Sequence, residues 1–176
     1  MQKRLLLLLL LPVAFCYGQS AGSTTLKSIL LQQLKTTHNQ KDWFVPVDSA
    51  IDGLTAEQAS WKDSSGNHSI AQLVNHLIFW NTRQLSKFRG DKADAYNGNN
   101  DETFSTADKK SWLLAVSRLD DILKQWEKAI ESADESKLQA WYPTIANIST
   151  HNAYHTGQII YIRKLQGSWN PEKGVK

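Results

Sequence analysis

Sulfur is scarce in this sequence: of its 176 residues one is cysteine and one methionine, and both, Cys16 and Met1, lie near the N-terminus. Past Cys16 there is no disulfide and no thiolate chemistry. Nor is there a Cys-x-x-Cys-His motif or a methionine to serve a haem iron. Strand-length alternation of apolar and polar residues is missing, and no segment repeats. Charge of one sign is equally scarce. Without Lys3 and Arg4, which belong to a leader expected to be removed, 18 of the 20 basic residues remain against 17 acidic ones, so the net charge falls from +3 to +1. A near-neutral body offers no footprint for nucleic acid. The longest apolar run, Leu5–Leu11, is too short for a stable membrane span.

That run reads instead as an export signal. Met1–Arg4 is a basic opening, seven leucines follow, and Pro12, Val13, Ala14 and Phe15 lead into Cys16-Tyr17-Gly18-Gln19. Cleavage after Gly18 makes residues 1–18 a signal peptide and residues 19–176 one mature domain, periplasmic or extracellular. Lipidation at Cys16 is the alternative, because Val13-Ala14-Phe15-Cys16 partly resembles a lipobox. Phe15, bulky where a small residue is usual, favours soluble export.

The mature chain reads as helices joined by polar loops. Seven tryptophans supply enough large apolar surface for a core without disulfides. A first helix is expected from about Thr24 to Gln40, with Leu26, Ile29, Leu30 and Leu34 on its apolar face and Ser23 or Thr24 as cap. A long connection, Lys41 to Asn67, holds Pro46, Gly53, Gly66 and one short turn capped by Thr55. A second helix opens at Ser69 and runs to about Arg89. Gly90 to Ser105 reads as a surface loop. A third helix, capped by Thr106, carries Trp112, Leu113, Val116, Leu119, Leu123, Trp126 and Ile130 at helical spacing. Ser132–Tyr142 is expected to be a connection, closed by Pro143, which blocks a continuous helix. The last helix is expected over Ile148 to Leu165, ended by Gly167. Four long amphipathic helices and no strand argue an all-α four-helix bundle.

Three histidines fall mid-helix among apolar neighbours. His151 and His155 are four apart, so both imidazoles project from one helical face with Cβ atoms about 5–6 Å apart. That lets both reach one ion at roughly 2.0–2.1 Å. His76 completes a three-histidine set if the second helix faces the last. Three neutral imidazoles suit Zn, Ni, Cu or Fe, and leave coordination positions open, as catalytic sites do. Spacing alone leaves a second reading open, in which these are core histidines satisfied by hydrogen bonds.

The segment Ser69-Ile70-Ala71-Gln72-Leu73-Val74-Asn75-His76-Leu77 resembles the opening of the second helix in the DinB-like family. His151-Asn152-Ala153-Tyr154-His155-Thr156-Gly157-Gln158 resembles its His-x-x-x-His-x-x-Gln signature. Ile162 to Gly167, with Pro171 beyond, is similar to the family's tail. The likeness spans about Thr24 to Pro171. It implies a four-helix bundle holding a divalent transition metal between helices through His76, His151 and His155, often as a homodimer. Zn or Ni heads the expectation, with Fe or Mn next. Gln158 would support His155 from one turn away. The family includes thiol-dependent transferases and isomerases and proteins described as metal-dependent hydrolases.

Two functional classes follow. One is a metal-dependent hydrolase or transferase acting on a small molecule; the other is a non-catalytic metal- or ligand-binding module of the cell envelope. Export favours neither thiol donor nor thiol transfer, because low-molecular-weight thiols are scarce outside the cytoplasm. No carboxylate holds a helical position beside the histidines, so no general base is assigned; Glu57, Asp63 and Glu102 are loop candidates. Trp80, one turn beyond His76, is placed to wall a metal cleft. The other tryptophans read as core or loop anchors, and His38 and His68 as bystanders.

Overall fold

The computed structural model describes residues 24–92 and 95–175; the expected leader lies outside the described residues. Among these residues every regular element is helical: α1 (Leu26–His38), α2 (Val47–Ile51), α3 (Ala56–Ser60), α4 (Ile70–Arg89), α5 (Lys109–Ser132) and α6 (Glu135–Leu165), with 3₁₀ turns at Asn100–Thr103 and Pro171–Lys173. No helix among them is long and apolar enough to cross a membrane.

Local chemistry places the helix starts. Thr25, Thr55 and Ser69 each accept from a backbone N–H three residues on, and the side chain at that position bonds back to the cap, forming three capping boxes. The first cap is thus Thr25 rather than Ser23 or Thr24. The helix carrying Trp112 starts from Asp108 rather than Thr106, because the Asp108 carboxylate accepts from the Ser111 N–H. At the end of α4, Gly90 takes φ 88°, a left-handed conformation that closes the helix while Asp91 N–H bonds Ser86.

Two further expectations are corrected. α6 runs unbroken for 31 residues through Pro143, where a connection over 132–142 and a later start at Ile148 were expected. Proline removes one N–H and crowds the carbonyl four residues back. Here that carbonyl belongs to exposed Gln139, open to water, and Pro143 is itself exposed. Buried Leu138 and Ile145 on either side tie the helix to the core across the defect. The second correction concerns the aromatics. Trp112 and Trp126 are core residues, and their buried indoles donate to the carbonyls of Leu54 and Asn81. Trp43 is 97% exposed and Trp61 also faces solvent, as do Leu113 and Ile29, which were expected on apolar faces.

The long helices share one core. α1 packs on α5 and α6, and α4 packs on the same two, so α1 and α4 lie across from each other. The length of the α1–α4 connection accommodates that separation. α4 and α6 run antiparallel: His76 neighbours His155, Asn81 pairs with Asn152, and Phe88 meets Trp141. This pairing brings the histidines together.

Candidate metal centre

His76 enters from α4, and His151 and His155 from one face of α6. His151 Nε2 lies 3.1 Å from the Nε2 atoms of both His76 and His155. Bonds of about 2.1 Å to a common ion would set nitrogens about 3.0–3.4 Å apart for angles between octahedral and tetrahedral. The donor atoms of all three lie within 4.8 Å of one another, so the group can hold a metal ion.

Proton positions support that fit. The Thr103 hydroxyl donates to the Asn100 carbonyl, so its oxygen is left to accept from His76 Nδ1–H. Gln158 donates its amide N–H to Tyr154 Oη, which turns its Oε1 toward His155 Nδ1 at 2.6 Å. Both histidines therefore carry the proton on Nδ1 and aim an Nε2 lone pair at the same point. His151 Nδ1 is buried and has no hydrogen-bond partner among the described residues, which do not pin its tautomer. Burial, then His155 and His151, pushes His76 down to about 3. Burial and His155 push His151 down to about 4. Burial also lowers His155, against the Gln158 hydrogen bond. All three are neutral at pH 7, the form a metal requires.

Aromatic packing holds the cluster. Phe104 stacks between His68 and His76, with ring centroids 3.8 and 3.9 Å away. His68, expected to be a bystander, thus props the prop. The Trp80 indole donates to Asn100 Oδ1, and its ring meets Phe79 and Tyr96 edge to face. Thr103, Phe104 and Asn100 all come from the stretch expected to be a plain surface loop. Thr103 is buried there because a 3₁₀ turn, opened by an Asn99 side-chain cap, dips it against α4. Phe104, the one large apolar side chain among the polar residues 97–105, was the available signal.

A cavity of about 610 Å³ opens beside the histidines between α4 and α6, with Trp80, Tyr154 and Ile148 in its wall. Glu57, Asp63 and Glu102 do not line it. Asp63 instead accepts hydrogen bonds from Ser65, and Glu102 is exposed in the 3₁₀ turn.

The first 46 residues aside, most of this architecture falls within one match: residues 47–159 fit the family model described as the DinB superfamily. The chain belongs to the DinB superfamily. No curated protein and no solved structure matches it. The DinB match includes all three clustered histidines and Gln158, and leaves out α1.

A second group of polar side chains lies on other elements. His38, at the end of α1, is fully buried and bonds Glu127 through Nδ1 at 2.6 Å and Asp120 through Nε2 at 3.0 Å, with Asp48 3.6 Å away. His38 is no bystander. It ties α1 and α2 to α5, and Lys124 holds the other Asp120 oxygen. Hydrogen bonds from Lys124 and His38 outweigh burial and lower Asp120, whereas burial raises Asp48.

Proposed function

We propose that this DinB protein is an exported metal-dependent hydrolase or transferase built on a four-helix bundle. One divalent transition metal, Zn or Ni first and Fe or Mn next, would be held by His76, His151 and His155. The observation that supports this is the convergence of two lone pairs of fixed tautomer, from His76 and His155, on the Nε2 of His151.

A cation held by three neutral imidazoles keeps its full charge and supplies Lewis acidity, lowering the pKa of a water or thiol that reaches it. The chain's own residues do the rest. Thr103 and Gln158 hold the imidazole rings, Phe104 stacks on His76, and the cavity, with Trp80 in its wall, admits a small molecule beside the histidines. Export, with cleavage after Gly18, belongs to the same reading, as does a homodimer using exposed aromatics such as Tyr154 and Tyr161.

Among the described residues no carboxylate lines the cavity, and this favours a second reading: a non-catalytic metal- or ligand-binding module of the envelope. Elemental analysis of the mature protein alongside His151→Ala tests the site. About one transition metal per chain, lost in the variant, supports it; none after reconstitution with zinc, nickel or iron makes these core histidines. Turnover of a substrate panel by the loaded protein then separates enzyme from module.

A further inference from the structure

The cavity is a groove with a direction. His76, Trp80 and Gln84 succeed one another at four-residue steps along α4, and His151, Ile148 and Thr144 descend α6 opposite them. From the histidines to Gln84 is about 12 Å of helix rise. The groove changes character along this length. At one end stand three neutral imidazoles. One turn on, Trp80 of α4 and Ile148 of α6 both line the wall, and the indole donates a hydrogen bond to Asn100. Two turns on, Gln84 and Thr144 line the wall, and Asn147 lies beside Ile148 on α6. Among the described residues these three side chains make no hydrogen bond, although neighbouring amides such as Asn81, Asn152 and Gln158 are all paired. Among the described residues no Asp, Glu, Lys or Arg lines the groove.

We propose that this groove binds a monoanionic small molecule with a flat apolar middle and an uncharged hydrogen-bonding tail. The anionic head sits at the histidine end, the middle against Trp80 and Ile148 with Asn147 beside them, and the tail at Gln84 and Thr144. The inference rests on the metal reading above, since a dication among neutral imidazoles, with no carboxylate in the wall, calls for an anion. A second negative charge at the far end would meet only amides and a hydroxyl, with no cation to balance it. Dianions with a charged tail are therefore excluded by the same wall that accepts an amide. Phe104 is not the platform for the ring, because both its faces are already covered by His68 and His76.

The test uses the full mature protein loaded with Co²⁺, whose visible spectrum reports both the metal and any ligand at it. Acetate, hydrocinnamate, para-acetamidohydrocinnamate and para-carboxyhydrocinnamate are titrated in turn. Affinity is expected to rise about tenfold from acetate to hydrocinnamate and several-fold again with the acetamide. The para-carboxy compound should bind no tighter than hydrocinnamate. Trp80→Ala should erase the first gain and Gln84→Ala the second, whereas Gln84→Lys should tighten the para-carboxy compound. Flat affinities across the series, or a para-carboxy compound as tight as the acetamide, overturn the inference while an intact Co²⁺ spectrum leaves the metal reading standing. No Co²⁺ spectrum at all overturns both.

Discussion

Asn81 of α4 and Asn152 of α6 exchange two amide hydrogen bonds, at 2.8 and 3.3 Å, within a fully buried stretch of the interface. Asn152 follows His151 directly, and Asn81 lies one and a half turns beyond His76. The pair works only in one register of the antiparallel helices, and that register is the one that brings the three histidines together. Asn81→Ala leaves the buried Asn152 amide without its partner, and Asn152→Ala leaves Asn81 Oδ1 without a donor while its N–H keeps the Leu77 carbonyl, at a cost of about 1–3 kcal/mol each. The double variant should lose less than the sum of the two, because no amide is then stranded. Urea denaturation of the three variants checks this; strict additivity would show that the pair is not coupled.

Thr103 and Gln158 hold the Nδ1 protons of His76 and His155. Thr103→Val and Gln158→Ala are expected to weaken metal binding about 10–100-fold, while stoichiometry at saturating metal stays the same. Competition against a chelator of known affinity measures it. Wild-type affinity in both variants would remove them from the site.

Acid should destabilise the metal-free protein. His76 and His151 titrate at about 3 and about 4 when folded, below their ordinary value of about 6.5 in the unfolded chain. Between about pH 4 and 6.5 the unfolded chain therefore binds protons that the folded one refuses. Stability rises with pH across that window, by at most about 1.4 kcal/mol per unit for each histidine, and levels off above it. Raised Asp48 opposes the trend at the acid edge. Urea midpoints of chelator-treated protein should trace this slope, and His76→Gln/His151→Gln should flatten it. An equal slope in that variant would assign the acid sensitivity elsewhere.

His38 bonds Glu127 and Asp120, with Asp48 close by, and Lys124 bonds the other Asp120 oxygen. His38→Ala opens a cavity, strips Glu127 and Asp120 of their hydrogen bonds to the imidazole and should cost about 1–3 kcal/mol. Metal uptake at the three-histidine cluster should be unchanged, since no residue is shared. Thermal unfolding and elemental analysis of the one variant report both; loss of metal with normal stability would be the contrary result.

Pro143 is a defect that α6 tolerates. Replacing proline in an exposed helix interior with alanine recovers about 3 kcal/mol of propensity, less about 1 kcal/mol for a freer unfolded chain. Pro143→Ala should therefore raise the melting temperature. A fall would mean that the ring is needed where it is.

The sequence by itself determined what depends on neighbours a few residues apart. The helical class, the Thr55 and Ser69 caps, the end of α4 at Gly90 and the shared face of His151 and His155 all follow from local spacing and backbone chemistry. Only the tertiary structure decided the rest. His76 joins the pair because α4 packs antiparallel on α6, and Thr103 and Phe104 reach it because a polar loop folds inward. His38 finds its carboxylates 82 and 89 residues away. At Pro143 local preference and tertiary burial disagreed, and burial of Leu138, Ile145 and Ile148 carried the helix through. Propensity acts one residue at a time, whereas a buried helix face draws on every apolar side chain along it, so the longer-range effect prevailed.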